Sequence, residues 1–183
     1  MKTAVALAVV VSAAASANAA TVDLGAIGIG TPRTFNGSVI QSVGTFTDTY
    51  TFSLPDNGGS GYSVINFPLA FGTFSFNTIF SALTLYSAGT NGLIGGGDDV
   101  SLATATSLSG AGELVLSFGP SAAGNYFLDV FGRTDGATGG LYSGSISVSP
   151  VLAPVPEPES YAMLLAGLGV MGAIAVRRNK AKK

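Results

Sequence analysis

From Thr45 to Leu54 the chain alternates without a slip. Phe46, Tyr50, Phe52 and Leu54 fall on one side of an extended backbone, and Thr45, Thr47, Thr49, Thr51 and Ser53 fall on the other. A period of two built from aromatic and β-branched residues is the mark of a half-buried strand with a hydroxyl-rich outer face. Asp48 keeps the rhythm but breaks the chemistry. It sits in the apolar register, where a lone carboxylate is costly unless it is hydrogen-bonded or paired. Backbone N–H groups of a facing loop would satisfy it. So would Arg33 or Arg133, or a calcium ion shared with other carboxylates. A fourth reading puts Asp48 in a site at the open end of the sheet.

The rest of the chain repeats the pattern less sharply. Thr21 to Gly30 alternates weakly and predicts an edge strand. Thr31 to Gly37, with Pro32 and Asn36-Gly37, predicts a turn, and Val39 to Val43 leads into the next strand. Pro55 to Gly61 reads as a loop turning at Asn57-Gly58, and Pro68 ends a strand over Tyr62 to Phe67. Phe71 to Phe80 reads as a bulged or turned strand, with a helix as the lesser alternative. Ser81 to Ser87 points Leu83 and Leu85 inward. Ala88 to Asp99 is a glycine-rich loop, and Val100 to Leu108 a short strand. Leu114, Leu116 and Phe118 alternate inward. Asn125 to Phe131 carries apolar groups on both faces, which predicts a central strand. Tyr142 to Val148 closes the set with Ile146 and Val148 inward. Short strands between Gly, Pro, Asn and Asp turns, about eight of them, predict an all-β fold, an antiparallel jelly-roll-like β-sandwich over residues 20–148. No βαβ period or phosphate-binding glycine loop is present.

Both ends carry address information. Lys2, the apolar stretch Ala4 to Val11 and the small-x-small text Ala17-Asn18-Ala19 predict a secretory signal peptide over residues 1–19, cut between Ala19 and Ala20. At the other end, residues 149–160 form a proline-rich spacer. Residues 161–176 then run 16 positions without a charge, and residues 177–183 hold Arg177, Arg178, Lys180, Lys182 and Lys183. As a helix the run spans about 24 Å, short of the ~30 Å bilayer core. That length also suits a core helix ending a soluble domain. The stiff acidic lead-in and the cluster of cations predict a transmembrane helix with a basic cytoplasmic tail. The prolines are expected to stop it from continuing outward past Ser160.

Pro156-Glu157-Pro158, the apolar run and Arg177-Arg178 together resemble the PEP-CTERM sorting signal of Gram-negative bacteria. The resemblance implies recognition by exosortase, a membrane-embedded cysteine protease-transpeptidase, and cleavage near the Pro-Glu-Pro. It also implies export by signal peptidase and the general secretion machinery, and transient anchoring in the inner membrane by a single C-terminal helix. Release to the outer surface or extracellular matrix follows. Phe46-Thr47-Asp48-Thr49-Tyr50 is similar to the motif of the FxDxF family of PEP-CTERM proteins. Here Tyr50 replaces the second Phe and adds a hydroxyl that needs a partner. The text Gly124 to Gly132 resembles the last hairpin of bacterial prepeptidase-like β-sandwich domains.

Composition narrows the function. Cys, His and Trp are absent. A Ser-His-Asp arrangement, thiolate chemistry and zinc-thiolate sites are thereby excluded. Residues 20–155 hold eight carboxylates against Arg33 and Arg133, a net of −6, which repels nucleic acid. No catalytic residue and no cofactor are assigned. The acidic surface suits divalent cations or simply solubility, with Asp48, Asp98, Asp99 and Asp129 as candidate calcium ligands, although Asp98-Asp99 matches neither an EF-hand loop nor a nonapeptide repeat and reads first as a solvated turn. A glycosidase pair of Asp48 and Asp129 is the remote enzymatic alternative. The expected role is a non-enzymatic surface or matrix protein associated with exopolysaccharide or biofilm. As a subordinate reading, its threonine face and exposed tyrosines bind extracellular polysaccharide.

Overall fold

A computed structural model describes residues 19–40, 44–152 and 158–180. The predicted signal peptide, residues 1–19, lies outside these but for its last residue. The chain divides into two units at Val151/Leu152.

The first unit is a β-sandwich. Its strands are β1 (Thr21–Ala26), β2 (Arg33–Val39), β3 (Gly44–Leu54), β4 (Gly59–Asn66), β5 (Leu69–Phe71), β6 (Phe74–Phe76), β7 (Thr78–Ser87), β8 (Val100–Ala111), β9 (Glu113–Phe118), β10 (Gly124–Thr134) and β11 (Gly140–Ser149). One sheet has the order β1-β3-β10-β7-β8 and the other β2-β11-β4-β9, with β5-β6 as a separate hairpin. The strand pairs are antiparallel except for β1, which runs parallel to β3 from Thr21↔Thr49 onward. The expected antiparallel edge strand is therefore a parallel one.

The core forms where the two inner faces meet. Phe46, Tyr50, Phe52 and Leu54 of β3 are buried, as the alternation predicts, beside Leu83 and Leu85 of β7 and Leu128 and Val130 of β10. Tyr62, Val64, Tyr142 and Ile146 face them from the other sheet. Each such side chain contributes about 1.5–3 kcal/mol by leaving water. β10 is central, flanked by β3 and β7. Its second apolar face is real too: Phe127 is buried against Tyr86, ring centroids 4.7 Å apart and 5° from parallel.

Three local readings need correction. The expected turn at Thr31–Gly37 is mostly strand β2, paired with β11 through Asn36↔Ser143 and Gly37↔Tyr142. Gly37 has no positive φ. Its missing side chain makes room for the Tyr142 ring, which a Cβ would meet at 2.0 Å. Asn36-Gly37 thus looks like a turn because a glycine is needed there for space. Phe71–Phe80 is turned, not bulged. It is the hairpin β5-β6, turning at Gly72 with φ 59°, followed by β7. Eleven strands, not about eight, stand among the described residues.

The second unit is α1 (Pro158–Lys180), a single helix. It begins at Pro158, two residues before the expected stop, because the missing N–H of a proline is no loss in a first helical turn. Met163, Leu164, Leu165, Leu168, Val170, Met171 and Ile174 are all exposed on it. Among the described residues no helix is long and apolar enough to cross a membrane.

The packing yields a direct test. Gly144 of β11 is covered by the Phe35 ring, and a Cβ there would come 2.2 Å from a ring carbon and 2.6 Å from the Ser63 carbonyl oxygen. Gly144→Ala is expected to destabilise the sandwich by about 1–3 kcal/mol in urea unfolding. Gly112→Ala, which would meet nothing within 4 Å, should change it far less.

Candidate functional site

β3 carries Asp48 into the interface between the sheets, where it is 4% exposed. Its two oxygens have different partners. The Tyr142 hydroxyl donates to Oδ2 at 2.5 Å, and the Ala20 backbone N–H donates to Oδ1 at 3.0 Å. Tyr142 stands on the opposite sheet, so its bond to Asp48 ties the two layers together. The Tyr50 hydroxyl lies 2.8 Å from that of Tyr142. Because the Tyr142 proton is already committed to Asp48, Tyr50 is the donor, and the relay runs Tyr50 to Tyr142 to Asp48. The Asn36 carbonyl, 3.3 Å from the Tyr50 hydroxyl, is a weaker second acceptor. The hydroxyl that distinguishes Tyr50 from a phenylalanine therefore has its partner.

The surrounding rings fix the geometry. Phe46 stacks on Tyr142 at 5.7 Å, Phe80 meets it edge-on at 5.6 Å, and Phe35 lies 4.1 Å from Tyr50. Burial pushes the Tyr50 hydroxyl pKa up to about 12; its bond with Tyr142 pulls the other way, and the nearby Asp48 charge adds to the rise. Tyr142 is pushed up further, again by burial first and then by Tyr50 and Asp48. Both phenols stay protonated through the physiological range and so remain donors. A pocket of about 260 Å³ opens beside this group, lined by Ala19, Ala20, Ser38, Val39, Ile40 and Asp48.

Of the partners expected for Asp48, a backbone N–H is found. It comes from the segment entering β1, and a tyrosine hydroxyl supplies the rest. Neither arginine is a partner: Arg133 lies 3.8 Å from Asp135 at the surface, and among the described residues no ion pair involves Asp48. Nothing in the sequence flagged Tyr142 beyond its place in the inward register of β11, or Ala20 beyond its place after the cleavage text.

The other carboxylates are elsewhere. Asp129 pairs in register with Thr49, and Asp48 with Val130, so the two acids project from opposite faces of one sheet. They cannot flank a single glycosidic bond or share one calcium ion. Asp129 accepts the Thr49 hydroxyl at 2.6 Å, and burial raises its pKa while that bond lowers it. Asp98 closes the glycine-rich loop by accepting from the Thr90 N–H and hydroxyl and the Asn91 N–H, and these bonds, the Asn91 N–H first, lower its pKa. Asp99 accepts from the Gly95 N–H at 2.6 Å. One oxygen of each, Oδ1, has no hydrogen-bond partner. Among the described residues no group of three or more metal-ligating acidic, His or Cys side chains occurs. Of the sandwich tyrosines that would stack on sugars, Tyr50, Tyr62, Tyr126 and Tyr142 are buried, and Tyr86 is half-buried and stacked on Phe127.

In the tail, Pro158 opens α1, and Arg177 and Arg178 are exposed near its end. Pro156 and Glu157 lie outside the described residues.

Two substitutions separate the roles. Tyr142→Phe removes the donor to Asp48 Oδ2 and should cost about 2–3 kcal/mol in urea unfolding, while Tyr50→Phe, which ends a neutral bond, should cost about 1 kcal/mol. Asp129→Asn should behave in the opposite sense. The raised pKa of Asp129 means that its charged form is penalised by folding. The variant should therefore melt higher than the parent at pH 7, and the gain should vanish as pH falls below the ordinary carboxylate value of 3.8.

Comparison with solved structures finds folds of similar span and low similarity. The prepeptidase C-terminal domain of a Bacillus anthracis collagenase aligns at 18% identity over 73% of this chain and 97% of its own, with a TM-score of 0.38. PliG of Aeromonas hydrophila, a periplasmic inhibitor of g-type lysozyme, aligns at 14% identity over 73% and 100%, with a TM-score of 0.36. CorA of Methylomicrobium album BG8, a surface-associated copper-binding protein, aligns at 10% identity over 71% and 99%, with a TM-score of 0.42. No curated protein matches the sequence. A family model, the PEP-CTERM protein-sorting motif, matches residues 154–179. That motif is a recognition signal for exosortase, and with Pro156-Glu157-Pro158, the apolar run and Arg177-Arg178 in their expected order, the chain carries a PEP-CTERM sorting signal, which implies export and sorting to the cell surface.

Proposed function

We propose that this chain is a non-enzymatic β-sandwich whose work is done outside the cell, as a component of the surface or its polysaccharide matrix. The observation that carries the reading is the sorting motif over residues 154–179. In this account residues 1–19 are the signal peptide, residues 20–149 the delivered domain, and the proline-rich residues 150–157 the spacer that leads into α1. Residues 161–176 hold the chain in the inner membrane until exosortase acts, and residues 177–183 stay on the cytoplasmic side. The run of 16 apolar residues is a few ångströms short of a bilayer core. Local thinning of the bilayer, and arginines reaching out to headgroups, accommodate that mismatch at modest cost. A weakly held anchor suits a segment that is to be cut free.

The absence of enzymatic work is supported by how the domain uses its carboxylates. Asp48 is occupied by Tyr142 and Ala20, Asp129 by Thr49, and Asp98 by its own loop. The motif Phe46-Thr47-Asp48-Thr49-Tyr50 supports placing the chain among the FxDxF proteins of the sorted class, and its Asp48 then has a structural part to play.

The test is a fractionation experiment in cells that contain exosortase. Replacing Pro156, Glu157 and Pro158 by alanine should leave the chain at full length in the inner membrane and remove it from the surface fraction. Mass spectrometry of the surface form of the parent should find an end near Glu157. Equal surface yield from parent and variant, or residues 161–183 still present on surface material, would contradict the proposal.

A further inference from the structure

Asp48 is a buried carboxylate with no cation beside it among the described residues, and its one backbone donor is the nitrogen of Ala20. Ala20 is also the residue at which the sequence places the start of the mature chain. Hydrolysis of the Ala19–Ala20 peptide bond consumes one water. It leaves a carboxylate on the departing Ala19 and converts the Ala20 amide nitrogen into an ammonium. The nitrogen that gains this charge lies 3.0 Å from Asp48 Oδ1.

We propose that Asp48 is the receptor for the α-ammonium of the mature chain, forming a buried ion pair that exists only after the leader is removed and that fastens β1 to β3. Three further observations agree. The Ala20 carbonyl accepts the Thr49 N–H at 2.7 Å, so the residue is held on its other side one position from Asp48. Tyr142 occupies Oδ2 and leaves Oδ1 for the nitrogen. The pocket of about 260 Å³ lined by Ala19, Ala20 and Asp48 gives room for the hydrogens the nitrogen gains.

The consequence is a domain that tightens on delivery. β1 is a six-residue parallel edge strand, an arrangement prone to fray at its free end. In the precursor a neutral amide meets the carboxylate. In the mature chain both partners are charged, and a buried Coulomb attraction is added to the bond. The inference rests on export and cleavage at Ala19–Ala20, and the experiment keeps the two apart.

The full chain is exported and recovered in four forms: parent, Asp48→Asn, an insertion of Gly-Ser between Ala19 and Ala20, and both changes together. The first amino acid of each is read by mass spectrometry, and the melting temperature is measured. The parent should begin at Ala20. The insertion should lower Tm by about 3–6 °C with Asp48 present, and by less than about 1 °C in the Asp48→Asn variant. Acylation of the α-amine by an amine-reactive ester should run at least about tenfold slower in the folded parent than in the same protein unfolded in urea. That comparison decides the matter even if Asp48→Asn fails to fold. Equal acylation rates, or losses in Tm that simply add, would overturn the ion pair while leaving export intact. A parent chain beginning at any other residue would overturn the ion pair and the cleavage site together.

Discussion

A carboxylate placed among aromatic rings is the constraint the rest of this sandwich answers. Asp48 lies in the inner register of β3, almost wholly buried, and its oxygens are bonded from within. The molecule does this from two directions. Tyr142 reaches across from the other sheet, backed by Tyr50, and the segment before β1 brings the nitrogen of Ala20. Satisfying one group therefore fixes two relationships, the spacing of the two sheets and the docking of the edge strand. Gly37 belongs to the same arrangement, because only a residue without a side chain leaves space for the Tyr142 ring.

The tail obeys different physics. α1 exposes apolar side chains all around its axis and has no polar face on which to rest in water. Its meaning comes from order along the chain, an acidic proline lead-in, a greasy run and a basic end, and the family match confirms that order at residues 154–179. On the proposed reading the two units divide the labour: one is a folded domain to be delivered, and the other carries the sorting signal.

What could be read from the sequence follows from which forces are local. The alternation of β3 is local, and its inward face was legible residue by residue, while the apolar groups on both faces of β10 marked it as a central strand. Legible too was the loop Ala88–Asp99, in which Gly89, Gly92, Gly95 and Gly97 take the left-handed conformations that turns demand. The segment Arg33–Val39 was misread because Asn36-Gly37 carries the local signal of a turn while the cause of its glycine is a ring on another strand. Strand order was not legible, since it depends on pairings far apart in the chain, such as β2 with β11. The oddity of Asp48 was plain, but its partners were not. Tyr142 is 94 positions away, and nothing in the alternation of β11 says which residue its hydroxyl will meet.

The central claim is that the Asp48 carboxylate is held by the two sheets and by the first residue of the delivered chain. A crystal structure of the mature protein, purified from its exporting host, tests this most directly. The account predicts the Ala20 nitrogen and the Tyr142 hydroxyl each within about 3 Å of a different Asp48 oxygen. An Asp48 turned out to solvent, or one bound instead to Arg33 or to a metal ion, would contradict it.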